Sequence, residues 1–128
     1  MYREIKGSPH NLRLEEVTIP AGASLATEMI ATQGMAIVGI IMPAAWTTAD
    51  IGYNACASGN AGELQPVTDA GGNYITTAVS ASKSVAFPQT DAIFWPFIQI
   101  SSVQTKSATG VTQSAAAVVQ LLLRKFLN

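Results

Sequence analysis

Ala92-Ile93-Phe94-Trp95-Pro96-Phe97-Ile98-Gln99-Ile100-Ser101-Ser102-Val103 decides the fold class. Its second half sets Ile98 and Ile100 against Gln99 and Ser101, and a period of two is that of a strand with one buried face. Its first half carries Phe94, Trp95 and Phe97 in close succession. We expect one strand over 92–103. Pro96 has no N–H to give a ladder, so it belongs at an edge or a bulge.

Upstream, strand and turn signals alternate. Tyr74–Val79 reads as a strand with Ile75, Thr77 and Val79 on one side, and Lys83–Phe87 continues it or starts another until Pro88-Gln89-Thr90-Asp91 breaks it. Before it stands the strongest turn signal, Thr68-Asp69-Ala70-Gly71-Gly72-Asn73. Leu64–Val67 is a short strand, and Ser58-Gly59-Asn60-Ala61-Gly62 a loop. Ile51, Tyr53, Ala55 and Ala57 alternate with small or polar neighbours. Met35–Met42 is apolar at nearly every position, as in a central strand covered on both faces. Gly34, Gly39 and Pro43 count against a buried helix there. Ala26–Ala31 and Leu14–Pro20 are two further candidate strands.

Downstream, Thr105–Gln113 is a polar loop containing Gly110. The tail, Ser114–Leu127, is open to two readings. Val118, Leu121, Leu122 and Lys125 would share a helical face, whereas Val119, Leu121 and Leu123 would share one side of a strand. The preceding run of strands favours strand.

Strands at spacings of about 8–15 residues with Gly/Pro turns and no long amphipathic helix define an all-β fold. We expect an antiparallel jelly-roll-like β-sandwich of about eight strands over residues 12–128, preceded by an N-terminal arm, residues 1–11. The expected core is Ile37, Val38, Ile40, Ile41, Val85, Phe87, Phe94, Ile98, Ile100, Val119 and Leu121. The arm holds turn-forming Gly7-Ser8-Pro9-His10-Asn11, and six charged residues lie in the first sixteen positions of the chain. It buries too little apolar area to order itself.

Composition narrows the function. At 128 residues and 48% hydrophobic, the chain makes one domain with a real core and needs neither metal nor disulfide for it. Charged residues are only 12%, about half the usual share, so Ser, Thr, Gln, Asn, Ala and Gly must cover the surface. Such a surface suits contact with other protein. Lys83 and Lys106 are the only cations between Val17 and Leu123. Phosphate binding needs several on one face, so no nucleic acid is expected as partner. The two most apolar runs, Gly34–Trp46 and Ala115–Leu123, fall short of the roughly 20 residues of a membrane span, and no membrane is expected either. Met1–Arg13 lacks the apolar stretch of a signal peptide. The single cysteine, Cys56, sits among small residues and reads as a buried or half-buried apolar group.

Catalytic equipment is sparse. His10 is the only histidine, and no HxH, HxxxH or CxxC spacing occurs, so neither a metal nor another cofactor is expected. Asp50, Asp69 and Asp91 stand in turn-like contexts, where Asp bonds nearby backbone. The loop after Asp69 lacks the regular acidic spacing of a calcium site. Trp46, Tyr53, Tyr74, Phe94, Trp95 and Phe97 would make a sugar-stacking platform if exposed together, as in a carbohydrate-binding module, but core is the expected place for them. The chain reads as a non-enzyme.

Three stretches taken in order carry a resemblance: Thr18–Ser24 (TIPAGAS), Met42–Ile51 (MPAAWTTADI) and Asp69–Ile75 (DAGGNYI). Over about 17–123 the chain resembles small β-sandwich virion proteins of tailed bacteriophages. The resemblance implies a capsid decoration, or cement, subunit on the capsid surface of the virion. Its partners would be the major capsid protein and copies of itself as a dimer or trimer; the alternative is a head/tail fibre or baseplate component. In that setting the arm is the contact segment, with Tyr2 and Ile5 as anchors, Arg3 and Lys6 at the rim, and His10 beside them.

Overall fold

The computed structural model describes residues 2–4, 12–88 and 91–125. Along β2 (Leu12–Ile19) every second residue is buried, from Arg13 to Ile19, the alternation of a strand with one face inward. The tail takes the same form: β10 (Ala117–Lys125) buries Ala117, Val119, Leu121 and Leu123. The two pair antiparallel along nearly their whole lengths, Ala117 opposite Ile19 and Arg124 opposite Leu12. The ends of the domain thus meet in the middle of a sheet, and the helical alternative for the tail is not taken.

That sheet has the order β1-β2-β10-β4-β8, with β1 Tyr2–Glu4, β4 Met35–Ile41 and β8 Ser84–Ala86. The second has the order β3-β9-β5-β6, with β3 Ile30–Ala31, β9 Phe97–Val103, β5 Asp50–Cys56 and β6 Gln65–Pro66. β7 (Thr76–Ala78) lies beside β6 along the same edge of β5. All the pairings are antiparallel, and helix among the described residues is confined to short 3₁₀ turns such as Ala61–Glu63. Ten strands stand among the described residues where about eight are expected, Tyr2–Glu4 being an edge strand that the expected arm does not include. From β2 onward the chain crosses between the sheets at each step except over β5, β6 and β7, which follow one another in the second.

The inward faces share one apolar core. Val17, Ile19, Ile37, Ile40, Val119, Leu121 and Leu123 come from the first sheet, and Ile30, Ile51, Tyr53, Ile98 and Ile100 from the second. β4 supplies Ile37 and Ile40, three residues apart, because the pairing with β10 slips between Leu122 and Leu123, leaving Val38 as an extra residue. The bulge turns Ile41 outward, 39% exposed. The expectation of a doubly covered strand holds only in part: Ile37 and Ile40 are core, and Ala36 and Gly39 are buried on the opposite face, but Val38 is half-buried and Ile41 is surface. Val85 and Phe87 pack against the core from its margin, half-buried. Phe94 is not core at all.

Two loops are locked by polar contacts. Asp69 accepts from the N–H of Gly71 at 2.8 Å and of Asn73 at 3.0 Å, and Gly72 takes a φ of 85° that favours glycine. These N–H donors, with the Asn73 backbone first among them, hold the Asp69 carboxyl below its ordinary pKa. Between β3 and β4 the turn Thr32-Gln33-Gly34-Met35 has positive φ at both central residues, 54° and 82°, and closes with Met35 N–H to Thr32 O at 3.0 Å.

Candidate interaction surfaces

Phe94 and Trp95 stand on the outside, 55% and 43% exposed. Their position follows from the chain's crossing between sheets. Ile93 exchanges both backbone bonds with Ile37 at the margin of the first sheet, while Phe97 begins β9 in the second. The residues between must bridge the gap. Pro96 cannot donate to a ladder, and buried Thr32 fixes the bridge by taking its carbonyls: Thr32 Oγ1 donates to Trp95 O at 2.6 Å, and Thr32 N–H to Pro96 O at 2.9 Å. The expected single strand over 92–103 is therefore only Phe97–Val103.

Below the two rings lies a recess of about 430 Å³ between Phe94–Phe97 on one side and Gln33, Gly34 and Met35 on the other. Its polar side chains already have partners within the protein. The Thr32 hydroxyl is spent on Trp95, and Gln33 Oε1 accepts from Arg13 Nη1 at 2.7 Å. An apolar partner suits it better than a hydroxylated one.

Arg13 forms the polar seam next to that recess. It points inward from β2 and is only 2% exposed. Nη2 donates to Ala31 O at 2.6 Å, Nη1 reaches Gln33, and Nε lies 3.2 Å from Glu15 Oε2. The guanidinium thus ties β2 of the first sheet to β3 of the second and to the turn that follows it. Burial raises the Glu15 carboxyl above its ordinary pKa, against the opposing pull of Arg13. The sequence shows Arg13 only as one charge of an N-terminal run; its clue is its place in phase with Val17 and Ile19.

A second uncovered surface is the outer face of the first sheet. Leu14, Leu122 and Gly39 are cross-strand neighbours there, and beside them lie Glu16, Gln120 and Ile41. Val118 is exposed on the same face of β10. A hydrogen bond from Gln120 Nε2 to Glu16 Oε2 at 3.1 Å crosses it.

Of the residues expected to make contacts, Tyr2 and Arg3 lie in β1, whose backbone pairs with Glu15 and Leu14 of β2. This places the first residues of the expected arm on the sheet edge. Ile5, Lys6 and His10 lie outside the described residues. The six aromatics do not form one platform. Tyr53 is buried, with its hydroxyl on Thr77 Oγ1 at 2.6 Å, and Trp46 and Phe97 are half-buried, Trp46 against the core. Burial pushes the Tyr53 hydroxyl's pKa strongly upward. Tyr74, Phe94 and Trp95 are exposed, Tyr74 lining a different recess from the other two.

Cys56 is buried, as expected of a small apolar residue. Asp50 belongs to β5 and not to a turn; its Oδ2 accepts from the Thr76 hydroxyl at 3.1 Å. Among the described residues no three His, Cys, Asp or Glu side chains come together as a metal set, and no helix is long and apolar enough to cross a membrane. Compared with protein-family models, with curated proteins and with solved structures, the chain gives no match.

Proposed function

We propose that this protein is a structural, non-catalytic subunit of a bacteriophage virion, a capsid decoration (cement) protein that binds across joints between copies of the major capsid protein. The observation that carries the reading is the exposed Phe94–Trp95 pair over an apolar recess. Large apolar side chains held outside by buried hydrogen bonds mark a surface kept for a protein partner. The uncovered face with Leu14, Leu122, Ile41 and Val118 adds a second such area, and the charge-poor composition lowers the desolvation cost of covering both.

The strand order supports the finer reading of the fold. Neighbours β2-β10-β4-β8 in one sheet and β3-β9-β5-β7 in the other, with the chain crossing between them at each step except from β5 to β7, fit the arrangement of a jelly roll. That architecture serves in viral capsids and in lectins, an analogy of fold alone. The arm would extend the contact, with Tyr2, Arg3, Ile5, Lys6 and His10 reaching a neighbouring subunit. Many copies making modest contacts add up to a large resistance to bursting.

The test is binding of the purified chain to shells assembled from the major capsid protein of the same virus, followed by co-sedimentation. Saturable binding in a fixed ratio to capsomers, lost on replacing Phe94 and Trp95 by Ser, is the expected outcome. Shells that sediment without the chain would defeat the reading.

A further inference from the structure

The outer face of the second sheet holds a cleft of about 520 Å³, distinct from the Phe94–Trp95 recess. Ile98 and Ile100 point into the core, so Gln99 and Ser101 point away from it and floor this cleft. On the neighbouring strand Asn54 stands opposite Gln99, and Gly52 opposite Ser101. A Cβ at Gly52 would sit 2.8 Å from Val103 Cγ2 and 2.9 Å from Ser101 Oγ, so the glycine keeps the floor low where the two strands meet. Leu25 and Tyr74, both exposed, stand among the walls.

The chemistry of the lining is specific. It contains no charged residue. The Asn54 amide and the Ser101 hydroxyl hold no side-chain hydrogen bond among the described residues. Gln99 commits its Nε2 to Ala26 O at 2.9 Å and leaves its Oε1 as an acceptor. Donors and acceptors therefore stand together on the floor, since an amide offers both and a hydroxyl serves as either. One phenol ring stands at the rim. We propose that this cleft binds a neutral carbohydrate, whose hydroxyls bond to Asn54, Gln99 and Ser101 while a C–H face of the sugar rests on Tyr74.

Other ligand classes fit less well. A phosphate or carboxylate ligand would need a cation in the lining, and Lys106 lines the neighbouring recesses beyond Tyr74, not this one. A peptide added as a strand would need a free sheet edge. Here the floor is a sheet face, with β5 and β9 paired from Asp50–Val103 to Cys56–Phe97. The volume falls within the range of small-molecule sites and matches one or two sugar rings. This inference is independent of what covers Phe94 and Trp95.

The experiment uses the full chain, ¹⁵N-labelled, titrated to tens of millimolar with maltose, cellobiose, lactose and N,N′-diacetylchitobiose. At least one disaccharide is expected to move the amide signals of Gly52–Asn54, Tyr74 and Gln99–Ser101. Asn54→Ala and Tyr74→Ala should each weaken that binding by about tenfold, the loss of a hydrogen bond or of a ring contact. Trp95→Ser should leave it unchanged. The proposal is overturned if none of the four moves those signals, if the shifts gather around Phe94 and Trp95 instead, or if binding survives both cleft substitutions.

Discussion

The Gln113 side chain reads both backbone groups of Thr47: its Nε2 donates to Thr47 O at 3.0 Å and its Oε1 accepts from Thr47 N–H at 2.8 Å. Gln113 is fully buried. The amide does what a neighbouring strand would do, and it joins the β4–β5 connection to the segment that enters β10. A second link lies alongside, from Ser114 N–H to Thr47 Oγ1 at 3.0 Å. Gln113→Ala should cost about 2–4 kcal/mol, because two half-buried backbone groups lose their partners and the fully buried amide leaves a cavity. Gln113→Leu separates volume from hydrogen bonding. If the bonds matter, Leu restores little of the loss in a urea melt; if only packing matters, it restores most of it.

The bulge in β4 makes adjacent residues unequal. Ile40→Ala should destabilise by about 2–5 kcal/mol through lost transfer energy and a cavity. Ile41→Ser, one position on, should stay within about 0.5 kcal/mol, since the side chain is already largely in water. Equal effects in thermal melts would show that the strand does not carry the bulge at Val38.

Glu15 should make stability depend on pH in a sense unusual for a carboxylate. Its folded-state pKa is raised by burial, so the folded protein holds the proton more tightly than the unfolded chain does. Its contribution is greatest below the unfolded value near 4.5 and is lost as pH rises through the folded value. Glu15→Gln, which cannot titrate, should therefore gain stability relative to wild type as pH increases across that window. Paired melts from acid to neutral pH check the sign. A difference that is flat or runs the other way would mean that the Arg13 ion pair outweighs burial.

Phe94→Ser combined with Trp95→Ser should leave the melting temperature nearly unchanged, because both rings are exposed and the loop is held through backbone carbonyls by Thr32. Thr32→Val should do the opposite. Removing the hydroxyl leaves the Trp95 carbonyl without that bond, at about 1–3 kcal/mol. Circular-dichroism melts separate a binding loop from a structural one.

Deleting residues 1–11 removes β1 from the edge of the first sheet but nothing from the core named above. The loss of stability should be about 1 kcal/mol or less, as for a few cross-strand pairs. Under the virion reading, retention on the shell should fall much further, most visibly on heating or in high salt. A truncated chain that stays on shells as firmly as the full one would move the contact to the Phe94–Trp95 surface and the sheet face.

Local pattern alone determined the all-β class, the turn at Asp69–Asn73 and the core positions Ile37, Ile40, Ile98, Ile100, Val119 and Leu121, because apolar runs of strand length between Gly/Pro turns, and the alternation of Ile98 and Ile100 with Gln99, are legible in the chain itself. It pointed too to a buried or half-buried Cys56, which the structure buries. What only the tertiary structure decided lies where long-range pairing overrides local pattern. The apolar run at Met35–Met42 has no readable inward phase until the register against β10 places a bulge at Val38. Phe94 and Trp95 look like core because they are large and apolar, and become surface because the chain must cross there between sheets that only distant pairings create. The cleft over Asn54, Gln99 and Ser101 joins residues more than forty positions apart, and no local signal links them. Arg13 reads as a solvated charge until β2 takes its place beside β10, whose register turns the guanidinium inward to the carbonyl of Ala31.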